Sequence, residues 1–274
     1  MMDTENVWFA FGLTLFAGLA TGVGSALAFF AKKTNTKLLS VALGFSAGVM
    51  IYVSFVEIFP KAQVALITEF GETQGKYYTV LAFFGGMFLI ALIDKFIPHF
   101  ENPHERIKIE DLHDLSEERE YQKRSGLYRT GLFAAVAIAI HNFPEGLATF
   151  ASALKDPELG ISIAIAIAIH NIPEGIAVSI PIYYATHNRK KAFLYSFLSG
   201  LAEPLGAIVG FFLFYSYFTD GVFGILFAGV GGIMVFISLD ELLPAAKEYG
   251  EHHLSIYGLL AGMAVMAASL LLFI

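Results

Sequence analysis

His141-Asn142-Phe143-Pro144-Glu145-Gly146 recurs, with one residue changed, as His170-Asn171-Ile172-Pro173-Glu174-Gly175. Both copies sit inside apolar runs, Ala134 to Ala153 and Ile161 to Tyr184, and about 20 helical residues suffice to cross a bilayer. Ionisable groups at that depth are costly and usually functional. On a helix turning about 100° per residue, a His at 0° puts Asn at about 100° and Glu at about 40°, so the carboxylate lies between imidazole and amide on one face. That is a ligand triplet. Pro144 and Pro173 cannot donate to Ile140 and Ile169, which predicts a free carbonyl and a kink in each copy. The bland alternative is two proline-kinked helices whose His and Glu only hydrogen-bond each other, and a doubled set of buried ligands argues against it.

Around this centre the composition is that of a membrane protein. Of 274 residues, 56% are hydrophobic and only 15% are charged, less charge than a soluble domain of this size carries. Apolar segments predict an all-α polytopic fold with eight spans, at about 7–29, 38–60, 77–97, 129–153, 160–184, 192–215, 221–244 and 255–273. The whole chain, 1–274, then forms a single transmembrane domain with one long polar segment at about 98–128. With the N-terminus outside, fourteen of the seventeen Lys and Arg fall in inner loops, and only Lys61, Lys76 and Lys155 fall outside. The positive-inside rule thus predicts both termini on the outer, periplasmic face of the inner membrane, with the first span retained rather than cleaved. There is no cysteine. Thiolate sites and disulfides are excluded, and a metal would need imidazole, carboxylate, amide or thioether ligands.

Internal matches extend beyond the doubled phrase. Gly18 to Gly24 aligns with Gly200 to Gly206, with Thr21 opposite Glu203, and Gly48 to Ala62 aligns with Gly232 to Ala246 without a gap. The third and eighth spans match weakly at Gly86-Met87 and Gly262-Met263. Spans one to three thus resemble six to eight, and four resembles five, each crossing oppositely to its partner. Inverted repeats of this kind point to a secondary transporter with a site near the midplane.

The candidate site residues follow. Met50, His141, Asn142, Glu145, His170, Asn171, Glu174 and Glu203 are the mid-membrane polar or thioether groups. Glu145 and Glu174 are placed to bridge two cations, one near His141, His170 and Met50, the other near Asn142, Asn171 and Glu203. Two imidazoles with carboxylates suit zinc, iron(II), cobalt, manganese or cadmium better than magnesium or calcium. Ser54 and Glu57 share a face with Met50, reading as an outer vestibule, and Asp240 with Glu241 as an inner one; for Glu57 and Asp240, plain interfacial exposure is an equal alternative. His99, His104 and His113 in the polar segment offer cytoplasmic metal capture, against the plainer reading of a solvated, partly disordered loop.

The paired HNxPEG phrases, Glu203 before Pro204 and the eight-span layout resemble the Zrt/Irt-like (ZIP) family of divalent-metal transporters, most of all its bacterial ZupT-type branch. The resemblance covers essentially the whole chain. It implies uptake of zinc, and often iron, manganese, cobalt or cadmium, into the cytoplasm through a two-metal midplane site. It further implies that spans one, four, five and six move against the others. The metal is then transported substrate, with no catalytic cofactor and no enzymatic activity. A metal-selective channel or sensor would share the site, and a membrane-embedded di-metal enzyme would use similar ligands, although no HExxH occurs. Glycine-rich faces on spans one, two and eight permit a homodimer without demanding one. The expected partners are metal ions and lipid, not nucleic acid.

Overall fold

A computed structural model describes residues 4–30, 36–96, 117–214, 219–249 and 252–272. The described residues form helices α1 (Thr4–Phe30), α2 (Thr36–Val53), α3 (Phe59–Phe70), α4 (Glu72–Phe96), α5 (Glu117–Lys155), α6 (Pro157–Thr186), α7 (Arg189–Gly200), α8 (Ala202–Phe214), α9 (Asp220–Ile237), α10 (Leu243–Tyr249) and α11 (His252–Leu272). Local chemistry sets their ends. The carboxylate of Asp156 accepts from the amides of Glu158 and Leu159 at 3.0 and 3.3 Å, with Pro157 in the first turn, and so opens α6. Asn188 and Thr219 cap α7 and α9 in the same way. Between α3 and α4 the chain turns at Gly71, whose φ of 82° suits a residue without a side chain.

Seven of the described helical segments are long and apolar enough to cross a membrane: 4–26, 40–70, 72–93, 157–186, 189–212, 220–247 and 253–271. The remaining expected span, 129–153, lies within the 39-residue α5, several of whose side chains fall outside the described residues. Two boundaries differ from the sequence expectation. The second span runs on to Phe70, and the third begins at Glu72, because the apolar run after Pro60 stays helical until Gly71 stops it.

Proline acts differently in different spans. α5 runs unbroken through Pro144, and α6 through Pro173. The sixth span is instead divided at Leu201, where Pro204 has no N–H for the carbonyl of Gly200. The second and seventh spans each absorb their proline in a π-helical turn, Ser54–Ile58 before Pro60 and Ser238–Leu242 before Pro244. In both turns the serine hydroxyl donates to a methionine carbonyl four residues back, Ser54 to Met50 and Ser238 to Met234, each at 2.7 Å.

The helices pack in two sets. α1, α5, α6, α7 and α8 lie against one another, as do α2, α3, α4, α9, α10 and α11. Among the described residues the sets meet mainly where α2 packs on α6 and α5 on α9, with a slight α6–α11 contact. Within each set, glycines let backbones touch, and the touching pairs recur. A side chain at Gly48 would collide with the carbonyl of Leu259, and one at Gly232 with that of Phe83. Gly146 faces the carbonyl of Glu203, and Gly175 that of Thr21. These are small-residue contacts of the kind that hold helices together where lipid removes the hydrophobic drive.

Candidate metal site

The two copies of the repeated phrase lie on α5 and α6, which are joined through Asp156 and pack along each other. One pairing crosses between the two helices. His170 Nε2 lies 3.2 and 3.4 Å from the two carboxylate oxygens of Glu145, with both side chains fully buried. Glu174, also fully buried, accepts from the hydroxyl of Ser46 on α2 at 3.5 Å. One turn beyond Ser46, Met50 is likewise buried. The side chain of His141 lies outside the described residues.

A second polar group forms on the other side of the doubled phrase. Asn142 donates through Nδ2 to the carbonyl of Ser199 at 3.1 Å, and Asn171 to the carbonyl of Ala17 at 2.9 Å and to Glu203 Oε1. Because the amide nitrogens are anchored, Asn142 Oδ1, Asn171 Oδ1 and Glu203 Oε2 are left buried without a hydrogen-bond partner among the described residues. Buried oxygens normally have donors, so three such atoms on neighbouring helices are what a cation-binding surface presents. Glu203 starts α8 at the break in the sixth span, and its close like charges are Glu145 and Glu174. Like charges so close in a medium of low dielectric repel one another, and a bound cation would relieve that repulsion.

Among the described residues no three His, Asp or Glu side chains are drawn together as a finished metal site. The arrangement is instead an imidazole–carboxylate pair beside an amide–carboxylate pair, with acceptor oxygens to spare. Of the flanking candidates, Ser54 is buried with its hydroxyl on its own helix, and Glu57 is half-buried 3.8 Å from Lys61. Asp240 is exposed and Glu241 half-buried. His99, His104 and His113 lie outside the described residues. Sequence reasoning passed over Ser46, whose only signal is its place four residues before Met50. It also passed over Ser25 and Ser196, whose hydroxyls meet each other and the carbonyl of Gly175 beside Glu174.

Fold and site together define a multi-pass, all-helical membrane protein with buried carboxylates, imidazole and amides gathered between its helices. The family model for the ZIP zinc transporter matches residues 99–270. Proteins named zinc transporter ZupT match over nearly the full length of both chains. That of Nitratidesulfovibrio vulgaris is 64% identical over 100% of each chain, and that of Lysinibacillus sphaericus 65% identical over 98% of this chain and 99% of its own. The Clostridium perfringens protein is 61% identical over 99% and 98% respectively. The chain belongs to the ZIP zinc transporter family, whose members are transporters and not enzymes.

Proposed function

We infer that the protein carries divalent transition metals, zinc above all, across the inner membrane into the cytoplasm. The observation that carries this is the buried donor set on α5, α6 and α8, in a chain whose relatives are named zinc transporters. His141, His170, Glu145, Glu174 and Met50 hold the first cation. Asn142, Asn171 and Glu203 hold the second with the shared glutamates. Imidazole and thioether favour zinc, iron(II), cobalt and cadmium at the first position, and manganese is accepted too.

The chain crosses the membrane eight times with both termini outside, its fourth crossing made by α5. The inverted arrangement draws support from the recurring contacts: Gly48 on Leu259 against Gly232 on Phe83, Gly146 on Glu203 against Gly175 on Thr21, and the two π-helical turns. Alternating access draws support from the division into two sets with narrow contact between them. Ser54 and Glu57 line the outer path, Asp240 and Glu241 the inner one, and the loop histidines His99, His104 and His113 take metal at the exit.

Uptake by proteoliposomes tests this. Zinc, iron(II), manganese and cadmium entry is measured for wild type, Glu145→Ala, Glu174→Ala and Glu203→Ala. The expected result is inward flux in wild type, flux reduced at least 100-fold by either of the first two changes, and altered rate or metal preference in the third. No flux of any of the four metals in wild type overturns the reading.

A further inference from the structure

Thr21 lacks a bond that several other buried hydroxyls here make. Thr14, Ser25, Thr79, Thr149 and Ser152 each donate to the carbonyl four residues earlier, at 2.6–3.1 Å. Thr21, fully buried on α1, does not, and its Oγ1 has no hydrogen-bond partner among the described residues. The carbonyl it would use, that of Ala17, already takes the amide of Asn171. A buried hydroxyl without a partner is costly unless something else occupies it.

Its position shows what that is. Asn142 is anchored on Ser199 and Asn171 on Ala17. Glu203 stands four residues after the first anchor, and Thr21 four residues after the second. Glu203 reaches Asn171, whereas Thr21 rests on the bare backbone of Gly200, where a methyl group would lie 2.9 Å from Oγ1. Gly200 therefore keeps the space before the hydroxyl open, and it adjoins Ser199, the anchor of Asn142. Asn142 Oδ1, Asn171 Oδ1, Glu203 Oε2 and Thr21 Oγ1 are all oxygens, all buried and all without a donor among the described residues.

The geometry points to Thr21 as an oxygen ligand of the second cation position, giving that position an all-oxygen shell with a preference for a hard divalent cation such as Mn²⁺. This rests on the two-cation reading above. With one carboxylate of its own and three neutral oxygens, the position discriminates by ligand hardness while the first, with its imidazoles and thioether, favours softer metals.

Mn²⁺ binding to the purified full-length protein in detergent tests this, with free Mn²⁺ read by electron paramagnetic resonance. Wild type is expected to bind two Mn²⁺ per chain. Thr21→Val, of similar shape, weakens one of the two at least tenfold; Thr21→Ser keeps both; Thr21→Asp tightens the same one at least tenfold. In proteoliposomes the Mn²⁺-to-Zn²⁺ uptake ratio falls at least fivefold in Thr21→Val. Two Mn²⁺ bound with unchanged affinity in both Thr21→Val and Thr21→Asp overturns the role of Thr21 alone. Only one Mn²⁺ on wild type overturns the two-cation reading and the role of Thr21 with it. Should Thr21→Val fail to give a monodisperse helical protein, the Thr21→Asp gain decides.

Discussion

The pairing of His170 with Glu145 joins the two copies of one phrase. The residue types were legible because ionisable groups in an apolar run stand out. Which carboxylate meets which imidazole was not, because helical phase describes one helix and the pairing arises between two. Thr21 and Ser46 were harder still, since a small hydroxyl in a helix normally bonds its own backbone and carries no signal of a site. The crowded carboxylates also fix the sign of the pH response. Metal binding to carboxylates releases protons, so under the proposed function uptake is expected to fall as the medium is acidified, and a flat rate from about pH 5.5 to 7.5 would count against metal entry by proton displacement. Glu203→Gln removes one charge and keeps the shape. It is expected to flatten the acid limb of that profile in the same liposome assay.

At the scale of elements, three prolines are handled by two devices. Pro204 divides the sixth span, and Pro60 and Pro244 each follow a π-helical turn. The sequence marks the prolines but not the choice, which depends on whether neighbouring backbone lets the chain widen or forces a break. Pro244→Ala restores one N–H and is expected to tighten that turn, rotating Asp240 and Glu241 relative to α10. The measurement is accessibility of a cysteine placed at Asp240 in this cysteine-free chain, with and without the proline. A second element-level contact links the two helix sets. Lys155 at the end of α5 pairs with Asp220 at the start of α9 at 2.6 Å and lies 4.5 Å from the Phe223 ring. Both charges are partly exposed, so the pair is worth about 1 kcal/mol or less, and Lys155→Ala should barely move thermal stability. In the proposed movement of one set against the other, the pair would sit at a contact that opens. Lys155→Cys with Asp220→Cys, joined by a short thiol cross-linker, is expected to stop uptake, and reversal of the link to restore it; uptake that continues through the link would show that α5 and α9 do not separate during transport.

For the whole molecule, the class and the internal matches were visible in the chain, because span length, loop charge and repeated phrases are one-dimensional properties. The grouping of spans one, four, five and six apart from the others was an expectation of the family resemblance alone, whereas which glycine meets which carbonyl was not visible, since it depends on packing between helices. Those contacts make a matched prediction: Gly48→Val and Gly232→Val, at equivalent positions, should reduce the yield of folded protein to a similar degree, with either costing about 2 kcal/mol or more through forced helix separation. Size-exclusion profiles of the two variants check it, and a well-tolerated change at one position with loss at the other would argue against equivalent packing. The anchored asparagines have one last consequence. An amide tied to a backbone carbonyl keeps its oxygen aimed inward whether or not cargo is aboard, whereas an aspartate in its place would lose that tether and cling to its guest. In the proposed alternating-access cycle the emptied site must return with nothing on board, and a neutral, tethered lining would give it the same shape on the return journey at little electrostatic penalty.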